Sequence, residues 1–445
     1  MDHDVIVEQL RDRCKGLIEN ILQAPDLHSV GSASLAIFEQ MRHVAREILQ
    51  AKIALEAHQR SRQEVARCCP NARVKYVHTR SVSPETLFGQ ITIPVRTFQC
   101  RGCGATFRPD DATLGVPEAG EFTDDVRYLY APMAAELPHR VANDLFQRCT
   151  GVALSSRGAQ GIIESTAAHL RAWQVERERE EAEAVADALV LGDGSSQLRV
   201  EIAMDGVMAH IDGRWQEAKV GTILVRRLEA QTEEPTLGTI LARRYVAVLG
   251  SPEDLASRLQ QVLREAGWER IPLGEILGDG APWIWKVADA YFPGVRQTLD
   301  YYHLSEHLYD FAYLLYPNNP AGAKAWVDEK LGALLTDRIG KVLGALKRMR
   351  LWKKALRAAL TQLIGYVERN RTRLWYQEPW HQGLAVGSGA VEGACKHVIQ
   401  SRFKRAGMRW KPPGFLNVLA LRIARLNGTF QAFWASRGLT LPTSG

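Results

Sequence analysis

The sequence predicts an α/β protein with a mainly helical first half and a sheet domain, interrupted by helices, in its second half. Residues 199–204 alternate polar and apolar side chains, the period of a strand with one buried face. A short apolar run at 276–278 ends as that strand does, on a carboxylate followed by glycine. Residues 305–380 carry no strand pattern and read as continuous helices, so we expect an all-helical insertion in the sheet domain.

Length and composition describe an ordinary globular protein. A chain of 445 residues allows two to four domains with sizeable cores. No apolar run reaches the length of a membrane span, and the first residues do not resemble a signal peptide. Seven cysteines, an odd number in a large chain, indicate reduced thiols and a metal site as one use for them. We therefore expect a cytoplasmic protein without a membrane partner.

Positive charge is concentrated in two stretches of the second half. Residues 341–373 contain ten Lys or Arg against one acid, and residues 401–430 contain seven and no acid. Such clusters suit a polyanion, with the phosphates of DNA as the leading candidate, although a solvated surface gives the same pattern.

Residues 1–66 form a predicted helical region with an apolar stripe at three- and four-residue steps. This stripe indicates either an interaction or dimerisation helix or a plain amphipathic helix. Its members are Leu35, Phe38, Met41, Ala45, Ile48 and Leu49.

Residues 67–112 resemble a zinc ribbon with one damaged knuckle. A strand leads into Cys100 and Cys103, whose C-x-x-C spacing lets two thiolates reach one tetrahedral Zn²⁺. Cys69 is a third candidate ligand, but Ala72 stands where a second knuckle needs cysteine. Cys68 or His78 could complete the site, and the alternative is a ribbon that has lost its metal.

Residues 113–188 form a predicted helical region that includes a helix-turn-helix. One helix closes at Gly151, and the next begins with Ser155 or Ser156 as its N-cap. Two helices joined by a short glycine-containing turn suit DNA binding, although many helical hairpins look alike.

Residues 189–445 form the predicted sheet domain, and its chemistry centres on two aspartates. Asp205 is expected at the end of the first strand, before a hairpin that turns at Asp212 and Gly213. Asp279 follows a short buried strand, and Pro282 then suits the first turn of a helix. The insertion is expected at about 305–380.

A third carboxylate belongs to a helix after the insertion. Glu392 lies at the edge of the apolar stripe of this helix and in its first turn, where an acid by itself is ordinary. Two strand-end aspartates and a glutamate on a returning helix match the ribonuclease-H-like arrangement. Three such carboxylates suit two hard cations, Mg²⁺ or Mn²⁺.

Several motifs of this domain resemble those of Mutator-like DDE transposases of bacterial insertion sequences, with the ISKra group the closest. They are the segments around Asp205, 213–221, Asp279, 300–303, 387–393 and 407–410. The resemblance implies that Asp205, Asp279 and Glu392 bind the metal. It also implies that Asp300 and His303 position DNA, with buried structural roles as the alternative.

The resemblance implies a transposase that acts on double-stranded DNA, at the transposon ends and at the target. It further implies a homo-oligomer associated with the bacterial nucleoid. Basic residues beside the Glu392 helix are candidate phosphate contacts, namely Arg402, Lys404, Arg405, Arg409 and Lys411. The alternatives are a non-catalytic DNA-binding regulator and a structure-specific nuclease.

Overall fold

The computed structural model describes residues 3–23, 29–60, 69, 72–108, 110, 115–116, 122–184, 197–228 and 236–439. The chain divides into two compact units, Met1–His169 with Gln431–Gly445, and Leu170–Phe430. This division differs from the predicted boundaries, which gave the C-terminal residues to the sheet domain. No helix in the described ranges is long and apolar enough to cross a membrane.

The C-terminal residues belong to the first unit because their side chains are buried there. Trp434 is 1% exposed and packs edge-on against Tyr128, with 5.6 Å between the ring centroids. Arg437 donates to Asp124 at 2.8 Å. These contacts join residues more than 300 positions apart, which no local sequence pattern reveals.

The first unit begins with two helices, α1 (His3–Gln23) and α2 (Val30–Arg60). The predicted apolar stripe lies on α2, and much of it faces outward. Leu35 is 70% exposed, and Phe38, Met41 and Ile48 are each nearly half exposed. The described part of the unit therefore leaves this stripe largely uncovered.

Short strands follow in the cysteine-containing module. Antiparallel pairing joins β1 (Val74–Val82) to β4 (Ile93–Cys100), and β4 to β5 (Thr106–Phe107). A separate small hairpin consists of β2 (Glu85–Thr86) and β3 (Gly89–Gln90).

Three helices follow this module, and the third of them continues past His169 into the second unit. They are α3 (Asp124–Glu136), α4 (His139–Thr150) and α5 (Ser156–Ala184). Gly151 ends α4 in the left-handed region at φ 73°, as predicted. The Ser155 hydroxyl accepts from the Gly158 amide at 3.0 Å, so Ser155 rather than Ser156 caps α5.

The second unit contains a five-stranded mixed sheet in the order β10-β9-β6-β7-β8. The strands are β6 (Leu198–Ile211), β7 (Arg214–Arg227), β8 (Thr239–Val248), β9 (Leu273–Gly278) and β10 (Arg296–Leu299). Strands β6, β7 and β8 are antiparallel, and β9 and β10 run parallel to β6. The predicted turn is confirmed: Asp212 and Gly213 have φ angles of 53° and 78°.

The prediction that the first strand has one buried face is wrong. Glu201 and Ala203 point to the face of the strand opposite to that of Val200 and Ile202. They are nevertheless only 1% and 3% exposed. Residues 384–403 cover this second face, and the buried Arg226 guanidinium bonds to the Glu201 carboxylate at 2.8 Å. A charged residue in the alternation therefore marks a buried ion pair and not a solvent-facing side.

Helices connect and surround the strands. Residues 252–299 contribute α6 (Pro252–Glu265) and α7 (Pro282–Tyr291), each of which begins at a proline as the sequence predicts. Within the fully described stretch 301–381, five helices form where the insertion was expected. They are α8 (Tyr301–Leu315), α9 (Pro320–Leu335), α10 (Ile339–Arg348), α11 (Lys354–Arg369) and α12 (Gln377–His381).

The chain after the insertion changes its helical geometry twice. It forms α13 (Gly389–Ala394), a π-helix (Cys395–Gln400), α14 (Ser401–Phe403), α15 (Pro412–Leu426) and α16 (Thr429–Ser436). The predicted apolar stripe of this segment is buried throughout, from Val391 at 1% exposure to Phe403 at 1%.

Candidate active site

Asp205 lies inside a strand, so its predicted position at a strand end is wrong. The β6–β7 ladder continues without interruption from Asp205 to the pair formed by Ile211 and Arg214. Gly206 does not break the strand, since it pairs with Lys219 in this ladder. A Cβ at Gly206 would lie 2.1 Å from the Glu217 side chain. The strand that ends at this level is β9, since its last residue, Gly278, pairs with Met204.

Asp279 comes next to Asp205 through the parallel pairing of β6 with β9. The last pair of this ladder is Met204 with Gly278, and the two aspartates are the residues that follow this pair. They lie close enough for the Asp279 charge to act on the pKa of Asp205. Burial, and to a smaller extent the Asp279 charge, raises the pKa of Asp205, while hydrogen bonds from Cys395 and from the Gly206 amide lower it.

The backbone around Asp279 is fixed from both sides. Its Oδ1 accepts from the Ala281 amide at 2.9 Å, and its carbonyl accepts from the Tyr366 hydroxyl of α11 at 2.8 Å. Gly280 has φ +101°, and a Cβ there would lie 3.1 Å from both Leu299 and the Tyr366 hydroxyl. Only glycine suits this turn without strain or displacement.

Glu392 is the one predicted acid that the structure does not bring to the other two. Its side chain is 62% exposed and pairs with Lys396 at 2.6 Å. The residue nearest Asp205 on this segment is instead Cys395, whose Sγ donates to Oδ2 at 3.3 Å. Burial and the Asp205 charge raise the pKa of Cys395, so this group is a thiol. From the sequence, Cys395 was predicted only as an apolar member of the helical stripe.

Two buried arginines lie near the π-helix, and the burial of Arg402 shows that one prediction is wrong. Arg402 is 1% exposed, with its guanidinium 4.9 Å from the centroid of Trp410, so it is not a phosphate contact on the surface. Arg422, from α15, donates to the Val398 carbonyl at 2.9 Å and also to the His397 carbonyl. Its donors satisfy carbonyl groups beside the irregular turn.

Asp300 has a structural role at the start of α8. Its carboxylate caps α8 by accepting from the Tyr302 amide at 2.7 Å and from the His303 amide at 3.4 Å, and it also accepts from the Ser388 hydroxyl. Because Asp300 is only 6% exposed, these hydrogen bonds replace water as the partners of its carboxylate. They tie the start of α8 to the segment that leads into α13.

His303 lies close enough to the aspartates for its charge to lower the pKa of Asp205, and its side chain is 42% exposed. Two further residues near Asp279, His307 and Tyr366, were not identified from the sequence. The His307 ring packs against the Tyr366 ring at an interplanar angle of 45°, with 4.1 Å between the ring centroids. Burial, followed by the charge of His303, lowers the pKa of His307. The i, i+4 spacing of the two histidines on α8 was the available signal.

The remaining candidate phosphate contacts are exposed around the tip of the β6–β7 hairpin. Lys411 pairs with Asp212 at 2.8 Å, and the Lys404 ammonium lies 5.8 Å from the centroid of Trp215. Trp410 links this loop to β6 through a bond from its amide to the His210 carbonyl at 3.1 Å. Arg405 and Arg409 are exposed on the same loop. We call Lys404, Arg405, Arg409 and Lys411 the hairpin-tip cations.

A second candidate centre lies in the first unit. The sulfur atoms of Cys69, Cys100 and Cys103 lie within 4.8 Å of one another, and no other described set of three or more such ligands does so. The three predicted acids therefore do not form such a set. Hydrogen bonds with Cys103 and Cys100 raise the pKa of Cys69.

No fourth cysteine, histidine or acid of the described residues joins this cluster. A Cβ at Gly102 would lie 3.0 Å from the Ala72 Cβ, so Ala72 packs directly on the knuckle. His78 contacts Thr97 at 3.4 Å and is not in the cluster, and Cys68 lies outside the described residues. These three cysteines could hold a metal ion, and sulfur ligands of this kind suit Zn²⁺.

No model of a known protein family and no curated protein matches this chain.

Proposed function

We propose that this chain is a DNA transposase in which Asp205, Asp279 and Glu392 hold two divalent cations for phosphoryl transfer. The observation that carries the proposal is the closeness of Asp205 and Asp279, which follow the last paired residues of β6 and β9, Met204 and Gly278. Two neighbouring carboxylates favour a bound cation, and hard oxygen ligands suit Mg²⁺ or Mn²⁺.

Glu392 joins this pair when it leaves Lys396. An exposed i, i+4 ion pair contributes only about 0.3–0.5 kcal/mol, so a divalent cation at the aspartates readily outcompetes it. Glu392 lies one helical turn before Cys395, which already contacts Asp205. Its charge also contributes to the raised pKa of Cys395, in keeping with this closeness.

When bound, the cations supply activation of the attacking oxygen and stabilise charge on the transferred phosphoryl group. In the cleavage step, a water oxygen bonds to phosphorus and the P–O3′ bond breaks, which frees a 3′-hydroxyl. In the transfer step, that hydroxyl bonds to a target phosphorus, and the target O3′ leaves. Tyr366 and Gly280 hold the Asp279 backbone, and Asp300 orients the α8 turn that carries His303.

The charge and the helices of the chain support DNA as the substrate. The hairpin-tip cations and the basic stretch 341–373 suit phosphate backbones. The pair α4 and α5, with its five-residue connection, supports recognition of transposon ends in the manner of a helix-turn-helix. The exposed stripe of α2 supports a homo-oligomer. The resemblance to Mutator-like transposases of the ISKra group agrees with this substrate.

The triad is tested by isosteric substitution. Asp205→Asn, Asp279→Asn and Glu392→Gln should each reduce Mg²⁺-dependent strand cleavage by about 10²–10³-fold or more, because a lost ligand weakens the hold on the cations. The substrates are labelled duplexes that cover the DNA on both sides of the gene. Calorimetric titration with Mn²⁺ provides a second measurement on the same proteins.

Two control variants separate the triad from its surroundings. Asp212→Asn keeps a residue that tolerates the left-handed turn and should leave substantial cleavage. Lys396→Ala should preserve cleavage and strengthen Mn²⁺ binding, because it removes the competitor for Glu392. Wild-type rates in a folded Glu392→Gln protein would remove Glu392 from the site.

One observation favours the non-catalytic alternative, a DNA-binding regulator. The Glu392 carboxylate is engaged by Lys396, and it does not form with the aspartates a set of ligand atoms within 4.8 Å of one another. For such a regulator, the wild-type protein would bind the flanking duplexes but cleave none of them with either metal. A structure-specific nuclease would cleave them without joining a freed 3′-hydroxyl to a second duplex.

A further inference from the structure

The connection between α10 and α11 presents one tryptophan almost entirely to solvent. Trp352 is 93% exposed, more than any other tryptophan in the described chain. No aromatic ring or cation of the described residues stacks on its indole. An indole in this position is available to stack on a partner.

The connection itself is anchored. Met349 and Leu351 pack against the core of the second unit, while Arg350 and Trp352, which alternate with them, are exposed. The Met349 amide bonds to the Leu346 carbonyl at 3.2 Å, and the Lys353 carbonyl accepts from the Arg357 amide at 3.1 Å in the first turn of α11. Trp352 is therefore held out from the surface by a fixed backbone.

Four exposed cations surround Trp352 in sequence: Arg348, Arg350, Lys353 and Lys354. None of them forms an ion pair with a carboxylate of the described residues, whereas the nearby Lys347 pairs with Glu368. An aromatic plane between unneutralised cations is complementary to a nucleobase between phosphates. A purely apolar partner would gain nothing from these four charges.

The connection also has a fixed relation to the candidate active site. Helix α11 starts at Lys354 and carries Tyr366, whose hydroxyl bonds to the Asp279 carbonyl. Fourteen residues separate Trp352 from Tyr366, which corresponds to about 20 Å along a helix. Trp352 therefore lies outside the catalytic centre, and its substitution leaves the carboxylates untouched.

We propose that the 348–354 connection is a second nucleic-acid site, in which Trp352 stacks on an unpaired base and the four cations contact the flanking phosphates. The inference rests on the proposed function, because it assigns to the same enzyme a hold on DNA whose bases have become unpaired near the cleaved end. The ligand class is therefore a duplex with a short single-stranded extension.

The test compares full-length wild-type protein with Trp352→Ala and Trp352→Phe. Fluorescence anisotropy measures the Kd for a labelled blunt duplex and for the same duplex with a four-base extension. Wild type should favour the extended duplex, and Trp352→Ala should weaken binding to it by about tenfold, the scale of one lost base–aromatic stack. Trp352→Phe should keep most of the affinity, and the blunt duplex should change little.

Two further variants complete the design. Trp375→Ala, at a tryptophan that is 47% exposed, is the matched control and should leave the preference unchanged. Lys353→Gln with Lys354→Gln should weaken binding to both duplexes and reduce its dependence on salt. Thermal melts establish that each variant is folded.

Equal affinities of Trp352→Ala and wild type for the extended duplex would overturn the inference. Loss of self-association in Trp352→Ala, measured by sedimentation without DNA, would also overturn it and assign the tryptophan to a second copy of the chain. These outcomes are independent of the triad. If the aspartate variants cleave normally while Trp352 still confers the preference, the proposed function fails and the binding site remains.

Discussion

At the scale of single residues, the buried pair Glu201 and Glu275 shows how the sheet tolerates acids in its interior. The two residues are paired across β6 and β9, and each is 1% exposed or less. Arg226 neutralises Glu201, whereas Glu275 accepts from the Thr298 hydroxyl at 2.6 Å. Burial, together with the Glu201 charge, raises the pKa of Glu275 to about 8. Glu275 is therefore mostly protonated at neutral pH.

This raised pKa predicts a pH dependence of stability. Between the ordinary pKa of 4.5 and the folded value of about 8, the folded state binds more protons than the unfolded state. The free energy of unfolding should therefore fall as pH rises through this window. Glu275→Gln mimics the neutral acid, so its melting temperature should fall less than that of wild type between pH 5 and pH 8.

Thermal melts across that pH range provide the measurement. Glu269→Gln, an exposed acid near the same strand, is the control and should follow wild type at every pH. A constant difference between Glu275→Gln and wild type from pH 5 to pH 8 would contradict the raised pKa.

At the scale of elements, the segment after the insertion depends on a side chain from α15. The π-helix directs the carbonyls of His397 and Val398 toward Arg422, and Ser401 also accepts from it at 2.9 Å. Arg422 is 1% exposed, so these groups have little access to water. The same π-helix begins with Cys395, which contacts Asp205. The integrity of this element therefore affects the candidate active site.

Replacement of Arg422 by methionine should reduce the free energy of unfolding by about 2–4 kcal/mol, because buried carbonyls lose their charged donor. Arg425→Met, an exposed position on α15, should change it by less than about 0.5 kcal/mol. Urea denaturation monitored by circular dichroism measures both. Equal stability of the two variants would show that the guanidinium does not hold the π-helix.

At the scale of the whole molecule, the chain consists of two units with separate candidate metal centres. The cysteine cluster belongs to the first unit and the carboxylates to the second. A metal that binds the folded state stabilises the unit that contains it. Chelation should therefore act on the two units differently.

Protein purified without added zinc should contain about one Zn²⁺ per chain, held by Cys69, Cys100 and Cys103. In buffer to which no Mg²⁺ or Mn²⁺ has been added, removal of the zinc with a strong chelator should lower the melting transition of the first unit and leave that of the second unit unchanged. Elemental analysis and differential scanning calorimetry are the measurements. Cys100→Ser should lose the metal, whereas Cys149→Ser, an exposed cysteine outside the cluster, should retain it. Essentially no zinc in the wild-type protein would leave the module as a metal-free fold.

The sequence by itself determined the features that depend on neighbouring residues. The Asp212 and Gly213 turn, the proline starts of α6 and α7 and the glycine end of α4 follow from backbone preferences within a few residues. The C-x-x-C spacing likewise brings Cys100 and Cys103 together without help from the rest of the chain.

Only the tertiary structure decided which groups share an environment. Arg402 reads as a surface cation until Trp410 and the helices around it exclude water. Asp205 was predicted at a strand end because the sequence does not reveal how far β6 continues. Its pairing with β9 ends at Met204, but its pairing with β7 continues to Ile211. Cys395 bonds to Asp205, which lies 190 positions earlier in the sequence, whereas Glu392 of the same segment forms an ion pair with Lys396. Local spacing fixes the direction of a side chain relative to its own element, but its burial and its partners depend on which elements pack against it.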